Sequence, residues 1–370
     1  MLIFSICIYL LLNLIVGLWA SRRIHNTEDF VLAGRRLPMA LATMVTFATW
    51  FGSETMMGAP AQFLEGGFLN VIEEPFGAAL CLVLVGVFFA RTFYRWNIIT
   101  FCDFFLVRFV RNSEVVSASM IIPSYFGWIA AQFVAMGIVG HVIFGLPLET
   151  GIWAGAMMVM VYTLTGGMWS ISITDFIHNI ILILGLILLA VILFTKTGGV
   201  AAVTSQQPAD FFRFVPKEVT FQSYAEYLAA WITIGLGSIP QQDIFQRVMA
   251  SKDADTAVKS SITAGFLYLT VALLPLFIAL ASKSLYPELM QADTKMIIPN
   301  MVLQHAPVWM QILFFGALIS ALLSTSSGAI LAPAAVLGEN LIKPYFPKLS
   351  DRQLLMAIRG GVIFVTLASI

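Results

Sequence analysis

Charge is what this chain has least of. Asp, Glu, Lys and Arg make up 11% of its 370 residues, whereas soluble domains carry about 25%. So few charges cannot clothe a surface that meets water on every side, so an ordinary soluble domain is excluded. Cysteine is also scarce: Cys7, Cys81 and Cys102 are scattered with no CxxC spacing, which removes both a disulfide framework and a thiolate metal knuckle. The four histidines are equally dispersed and form no HExxH pair. No nucleophile–base pair, metal cluster or phosphate loop appears, so no enzymatic activity and no cofactor are expected. The formal net charge is zero, and nucleic acid is not an expected partner. The first apolar run has no basic region before it and is long enough to span, so we read it as a retained helix rather than a cleaved leader.

Apolar residues are what the chain has most of, at 59%, and a chain of this kind must be solvated by lipid. Ten apolar stretches reach spanning length, at 2–20, 38–61, 71–93, 114–143, 148–167, 174–195, 225–246, 259–282, 307–332 and 353–370. The longest polar break runs from Lys196 to Tyr224 and separates two groups of helices. Pro299 and Pro307 flank a stretch suited to a short surface helix before the ninth span. If sides alternate, the segments after spans 1, 3, 5, 7 and 9, with the flanking span ends, hold fifteen of the twenty basic residues. That imbalance predicts an outward N-terminus and cytoplasmic Arg/Lys-rich loops, in a bacterial inner membrane.

Within the ninth span lies Ala321-Leu-Leu-Ser-Thr-Ser-Ser-Gly328, with four consecutive hydroxyls. On a helix, positions 321, 324, 325 and 328 share a face. Hydroxyl oxygens beside a backbone carbonyl make an uncharged cluster suited to a hard cation that must bind and then leave. The competing reading is that these side chains bond to carbonyls of their own helix. Span 2 carries an interruption, Ala48-Thr-Trp-Phe-Gly-Ser-Glu-Thr-Met-Met-Gly-Ala-Pro60, and span 7 a second, Gly235-Leu-Gly-Ser-Ile-Pro240. Corresponding breaks in two halves are the sequence pointer to a carrier site at the bilayer midplane.

Acids inside a span are costly and ask for a reason. Glu54, in the span 2 break, is suited to pairing a cationic solute group, holding a second ion, carrying a coupled proton, or capping the following half-helix. Glu73 and Glu74 begin span 3 and are expected to cap it. Asp243 and Arg247 stand four apart and are expected to form an ion pair.

Four motifs, in order, carry a family resemblance: Thr27-Glu-Asp-Phe-Val-Leu-Ala-Gly-Arg-Arg-Leu-Pro38; Tyr162-Thr-Leu-Thr-Gly-Gly-Met-Trp-Ser-Ile-Ser-Ile-Thr-Asp175; Gly237-Ser-Ile-Pro-Gln-Gln-Asp-Ile-Phe-Gln-Arg-Val-Met-Ala250; and the hydroxyl cluster at 321–328. Together they resemble the sodium/solute symporter family, its proline and choline carriers among the members they resemble. The resemblance implies an all-α polytopic membrane protein of the five-plus-five inverted-repeat (LeuT-like) transporter fold, forming one transporter domain over 1–370. The peripheral first helix would be 2–20, the first repeat 38–195 and an incomplete second repeat 225–370, with the last core helix missing.

The implied activity is sodium-coupled symport of a small organic solute (amino acid, carboxylate or quaternary ammonium) by alternating access. Sodium would be held by the carbonyls of Ala48, Phe51 and Ala321 and the hydroxyls of Ser324 and Thr325, and Asp175 would help it leave. Solute-binding candidates are Trp50, Gly52, Ser53, Glu54, Trp128, Gly237, Ser238 and Gln241. Trp50 and Trp128 match a choline-type cage, but Gln241 stands where that cage has a third tryptophan, and Ser238 replaces an aromatic seen in proline carriers. Two other outcomes are carried forward: a solute-sensing membrane domain of a signalling protein, and a proton-coupled carrier using Glu54.

Overall fold

Helix α1 (Leu2–Ser21) shows lipid standing in for water as the surface solvent. Ile3, Phe4, Leu11, Leu12, Ile15 and Leu18 are all exposed along it, an apolar face that a water-soluble monomer rarely leaves open. The computed structural model describes residues 1–291 and 293–370, and every element among the described residues is a helix.

The short α2 (Thr27–Leu32) precedes α3 (Met39–Phe47). The chain then unwinds over 48–52, makes a wide turn at Glu54–Gly58 and restarts as α4 (Ala59–Gly66). Pro60 accounts for the wide turn. Without an N–H it cannot continue the i→i−4 ladder, and the Ala59 N–H reaches back to the Glu54 carbonyl instead. The interruption expected in span 2 is therefore present.

Wide turns at Ile72–Gly77 and Val85–Phe89 alternate with α5 (Ala78–Leu84) and α6 (Ala90–Trp96) along the next segment. After α7 (Cys102–Arg108), α8 (Arg111–Ser124) and α9 (Phe126–Phe144) run almost end to end, separated at Tyr125 just past Pro123. The helical stretch α10 (Leu148–Thr197) has 50 residues, which would extend about 75 Å if straight. It is not straight. Gly167 takes φ 46° and ψ −152°, and the Tyr162 hydroxyl meets Thr174 Oγ1 twelve residues on. Along a continuous helix those residues would stand about 18 Å apart, so the chain doubles back and the two spans expected at 148–167 and 174–195 are distinct. An added Cβ at Gly167 would lie 2.5 Å from the Phe30 carbonyl, so both φ and space restrict this position to glycine.

The second half follows the same plan. The short α11 (Val200–Thr204) lies in the polar break. Next, α12 (Phe221–Gly235) ends where residues 236–241 unwind, and α13 (Gln242–Ala250) resumes beyond Pro240. This is the second expected interruption. Next come α14 (Ala254–Leu285), the short α15 (Ile297–His305), with Pro299 in its first turn and Pro307 beyond its end, and α16 (Val308–Val336) with a wide turn at Leu337–Ile342. The last element is α17 (Asp351–Ala368).

Among the described residues, six helical stretches are long and apolar enough to cross a membrane: Leu2–Ser21, Glu54–Trp96, Arg111–Phe144, Leu148–Thr197, Ala254–Leu285 and Val308–Ile342. They make this a multi-pass integral membrane protein. The halves of the span 7 break fall outside that set because neither is long enough alone. α16 is the axis of the bundle: every residue from Phe314 to Val336 is buried, as expected of a helix apolar on all sides. It packs against α1, α9, α10, α13 and α17. Hydroxyl residues at its middle therefore face protein on all sides.

Candidate functional site

The first break, the second half of α10 and the hydroxyl-bearing turn of α16 meet at one point. Thr325 Oγ1 donates to the Ala48 carbonyl at 3.2 Å, and Ser324 Oγ donates to Asp175 Oδ1 at 2.5 Å. Both hydroxyl residues are buried, as is Asp175. Ser326 and Ser327 behave otherwise, bonding to the Leu322 and Ser324 carbonyls of their own helix. The local-bonding reading thus holds for two of the four hydroxyls and fails for the pair on the shared face. Ala321 lies one turn before Thr325 on that face. Phe51 is buried, its ring stacked on Phe47 at 4.8 Å. The second oxygen of Asp175, Oδ2, has no hydrogen-bond partner. An unmet acceptor next to two hydroxyls and a freed carbonyl is a donor set a hard monovalent cation fits.

Gly52 makes this approach feasible. A Cβ there would lie 2.7 Å from Gln132 Oε1 and 3.0 Å from both Thr325 Cγ2 and Thr325 Oγ1. Gln132, on α9, binds the break from the other side. Its Nε2 lies 2.9 and 2.7 Å from the two Glu54 oxygens, and its Oε1 accepts from the Ser53 N–H at 3.0 Å. Glu54 is thus held through its carboxylate by a neutral amide, not set as a cap on the next half-helix.

Beside this junction opens a cavity of about 340 Å³. Of the solute candidates, Trp50, Glu54, Trp128, Ser238 and Gln241 line it, while Gly52, Ser53 and Gly237 do not. Gly52 and Ser53 lie behind the wall, and the Gly237 N–H closes a turn onto the Ile232 carbonyl at 2.8 Å. Two residues that sequence reasoning had not assigned to the cavity matter most. Tyr125, at the α8–α9 junction, lines it, its ring tilted 45° against that of Trp128 at 6.0 Å between centroids. Glu74 also lines it, which corrects the expected cap. It interrupts its helix with φ −135° and ψ 110°, and its Oε1 takes a 2.7 Å bond from Thr55 and another from the Tyr268 hydroxyl. Glu73 lines the same cavity. No Lys, Arg or His does.

The expected Asp243–Arg247 side-chain ion pair does not form. Tertiary partners outcompete helical spacing. Arg247 donates from Nε to the Val45 carbonyl at 2.9 Å and from Nη1 to the backbone carbonyl of Asp243 at 3.0 Å, while Asp243 Oδ1 accepts from the Tyr125 hydroxyl at 2.6 Å. The guanidinium passes over Gly328, where a Cβ would lie 2.2 Å from Nη2.

Comparison with known proteins gives the following. The family model described as sodium:solute symporter family matches residues 30–370. A high-affinity choline transporter of Drosophila melanogaster is 29% identical over 98% of this chain and 60% of its own length. The human high-affinity choline transporter is 26% identical, covering 96% and 64%. The sodium/proline symporter of Escherichia coli is 27% identical, covering 99% and 75%. The chain thus spans about 60% of the length of some curated transporters it matches. Among solved structures, a substrate-bound, outward-open Na+-coupled sialic acid symporter superposes with a TM-score of 0.87 at 21% identity, over 100% of this chain and 79% of the other. That likeness shows the fold, a LeuT-like transporter architecture.

Proposed function

The chain belongs to the sodium:solute symporter family, and from that premise we propose that it carries a small organic solute inward with sodium by alternating access. The observation that carries the reading is the junction itself: Thr325 of α16 on the Ala48 carbonyl freed by the first break. Sodium would take the carbonyls of Ala48, Phe51 and Ala321 and the hydroxyls of Ser324 and Thr325, and Asp175, bonded to Ser324, would draw it inward on release. Five neutral oxygens favour an ion that binds and leaves. By joining a broken helix to α16, the ion would stabilise the arrangement in which the solute cavity is complete.

The cavity lining supports a positively charged solute. Three glutamates face it with no basic residue to balance them, and the Trp50 and Trp128 rings add cation–π attraction. Glu54 would take the cationic group, Ser238 and Gln241 its polar remainder, while Gly52, Ser53 and Gly237 shape the backbone around it. The relatives carry choline and proline by name, so quaternary ammonium and amino-acid solutes head the screen. The halves 38–195 and 225–370 would rock about this site, with the N-terminus outside and the Arg/Lys-rich loops in the cytoplasm of a bacterial cell.

The test is uptake of labelled solutes into proteoliposomes under an imposed sodium gradient, with a proton gradient as the second arm. Accumulation driven by sodium supports the proposal. Accumulation driven by the proton gradient alone replaces it with proton coupling through Glu54. Binding without transport in either arm replaces it with solute sensing.

A further inference from the structure

The first helix carries three polar contacts in one row, at Tyr9, Asn13 and Gly17, each four residues from the next. The Tyr9 hydroxyl meets Ser320 Oγ of α16. Asn13 Oδ1 accepts from His178 Nε2 at 2.7 Å, and the Gly17 carbonyl accepts from Ser170 Oγ at 2.8 Å. A Cβ at Gly17 would lie 2.8 Å from the Tyr162 ring, so the helices touch backbone to ring there. In lipid, where pairing two apolar helices gains little, close approach and polar contacts of this kind hold helices together. α1 is fixed to the bundle directly behind the hydroxyl turn.

Between α1 and that turn lies a small cavity of about 20 Å³, lined among others by Asn13, Tyr162, His178 and Ser324. Asn13 Nδ2 and His178 Nδ1 are both buried without a partner, and His178 is only 3% exposed. With Nε2 donating, a neutral imidazole presents Nδ1 as an acceptor, so one donor and one acceptor are left over. Turning the amide and exchanging the tautomer swaps their roles and still leaves one of each. Only a molecule that both donates and accepts can satisfy the pair. A water needs about 10–15 Å³ and two to four polar partners, and the cavity offers that room. Ser324 Oγ supplies the third partner: its hydrogen is committed to Asp175 and its lone pairs are free to accept.

We propose that one structural water sits here, hydrogen-bonded to Asn13, His178 and Ser324, and that α1 acts through it as a positioning element for sodium. Ser324 then has its hydrogen fixed by Asp175 and one lone pair fixed by the water. The remaining lone pair points in a set direction, toward the ion. This rests on the reading that Ser324 is a sodium ligand.

Two measurements on the whole protein test it. The first is a density map that resolves ordered water: a peak within hydrogen-bond distance of Asn13, His178 and Ser324 is expected, and an unfilled site overturns the proposal. The second is the sodium concentration for half-maximal uptake. Asn13→Leu and His178→Leu should each raise it about three- to tenfold, the worth of one lost hydrogen bond, with solute half-saturation at saturating sodium unchanged. His178→Gln, which keeps a donor and an acceptor, should stay near wild type. Folded leucine variants with unaltered sodium dependence overturn the positioning role. If wild-type uptake ignores sodium, the symport reading fails, and with it the positioning role; the map alone then decides the water.

Discussion

Replacing Thr325 with valine separates a sodium ligand from a helix-packing hydroxyl. The two side chains have nearly the same shape, so the change removes one oxygen and the 3.2 Å bond to the Ala48 carbonyl while adding little bulk. If that bond only joins helices, its loss costs about 0.6 kcal/mol, the average for polar contacts between membrane helices, whether or not sodium is present. If Thr325 is also one of five sodium oxygens, sodium affinity falls as well. At a sodium concentration of 100 Kd, the ion stabilises the fold by about 2.7 kcal/mol; a tenfold weaker Kd leaves about 1.4 kcal/mol. The expected signature is therefore a stability deficit that roughly triples on adding sodium, from about 0.6 to about 1.9 kcal/mol. Thermal unfolding in detergent, in sodium chloride and in potassium chloride at the same ionic strength, reads it directly. Thr325→Ser, which keeps the oxygen, should recover most of the sodium term. An equal deficit in both salts would refute the ligand assignment and leave Thr325 a packing residue.

Three further outcomes follow from neighbouring contacts. Gly328→Ala should destabilise the protein by about 1–3 kcal/mol, because the added methyl meets an Arg247 side chain already pinned to two carbonyls; thermal unfolding measures it, and an unchanged midpoint would mean Arg247 can move aside. Gln132→Leu should cost about 1–3 kcal/mol by stripping Glu54 of its N–H donor, and a double-mutant cycle with Glu54→Gln should show coupling; additive effects would dissolve the pair. Asp253 caps α14 by accepting the Thr256 N–H at 2.7 Å, and that bond holds its carboxyl below the usual range. A depressed pKa contributes stability above the unfolded-state value and loses it as pH falls through the folded one, so protection from hydrogen exchange at the start of α14, taken relative to the intrinsic rate at each pH, should fall in acid for the wild type and be low throughout for Asp253→Ala. Equal protection in both at neutral pH would show that the cap contributes nothing.

Both breaks were legible in the sequence because glycine and proline act locally: Pro60 and Pro240 interrupt a hydrogen-bond ladder wherever they fall in a helix. The shared face of Ser324 and Thr325 was legible because helical periodicity is fixed. What escaped was every partnership decided by a distant element. Spacing four apart predicts an Asp243–Arg247 pair, but Tyr125, more than a hundred residues earlier, takes the carboxylate, and the Val45 carbonyl takes the guanidinium. Spacing likewise makes Glu74 a cap, until Tyr268 arrives from α14. Spacing set Ser324 and Thr325 apart from Ser326 and Ser327, and the packing of α16 against α10 and the first break gives that pair partners across the bundle while the other two bond at home. Signals for the cavity wall were present yet weak: Tyr125 stands two residues after Pro123 at a helix junction, and both breaks also carry a proline.

The hydrogen bonds at this junction bear on how sodium would be released from the proposed site. Thr325 directs its hydrogen at the Ala48 carbonyl, the same oxygen the ion would take. To admit sodium at the proposed site, that hydrogen would swing away, and acceptors on its own helix are carbonyls a turn back, Ala321 among them, which the proposal also gives to the ion. Binding therefore exchanges a formed hydrogen bond for ion–oxygen contacts instead of filling a set of bare oxygens, and the net gain is small. The same exchange run backwards would ease departure: as sodium left, Thr325 would reseal onto Ala48, and no buried carbonyl would be left unsatisfied inside the protein, at a cost of about 1–3 kcal/mol. Ser324 differs, since its hydrogen already rests on Asp175, so in the proposed site it would supply a lone pair without rearranging. A sodium site made of one hydroxyl that must turn and one that need not would suit reversible occupancy, which is what a coupling ion requires and a structural ion does not.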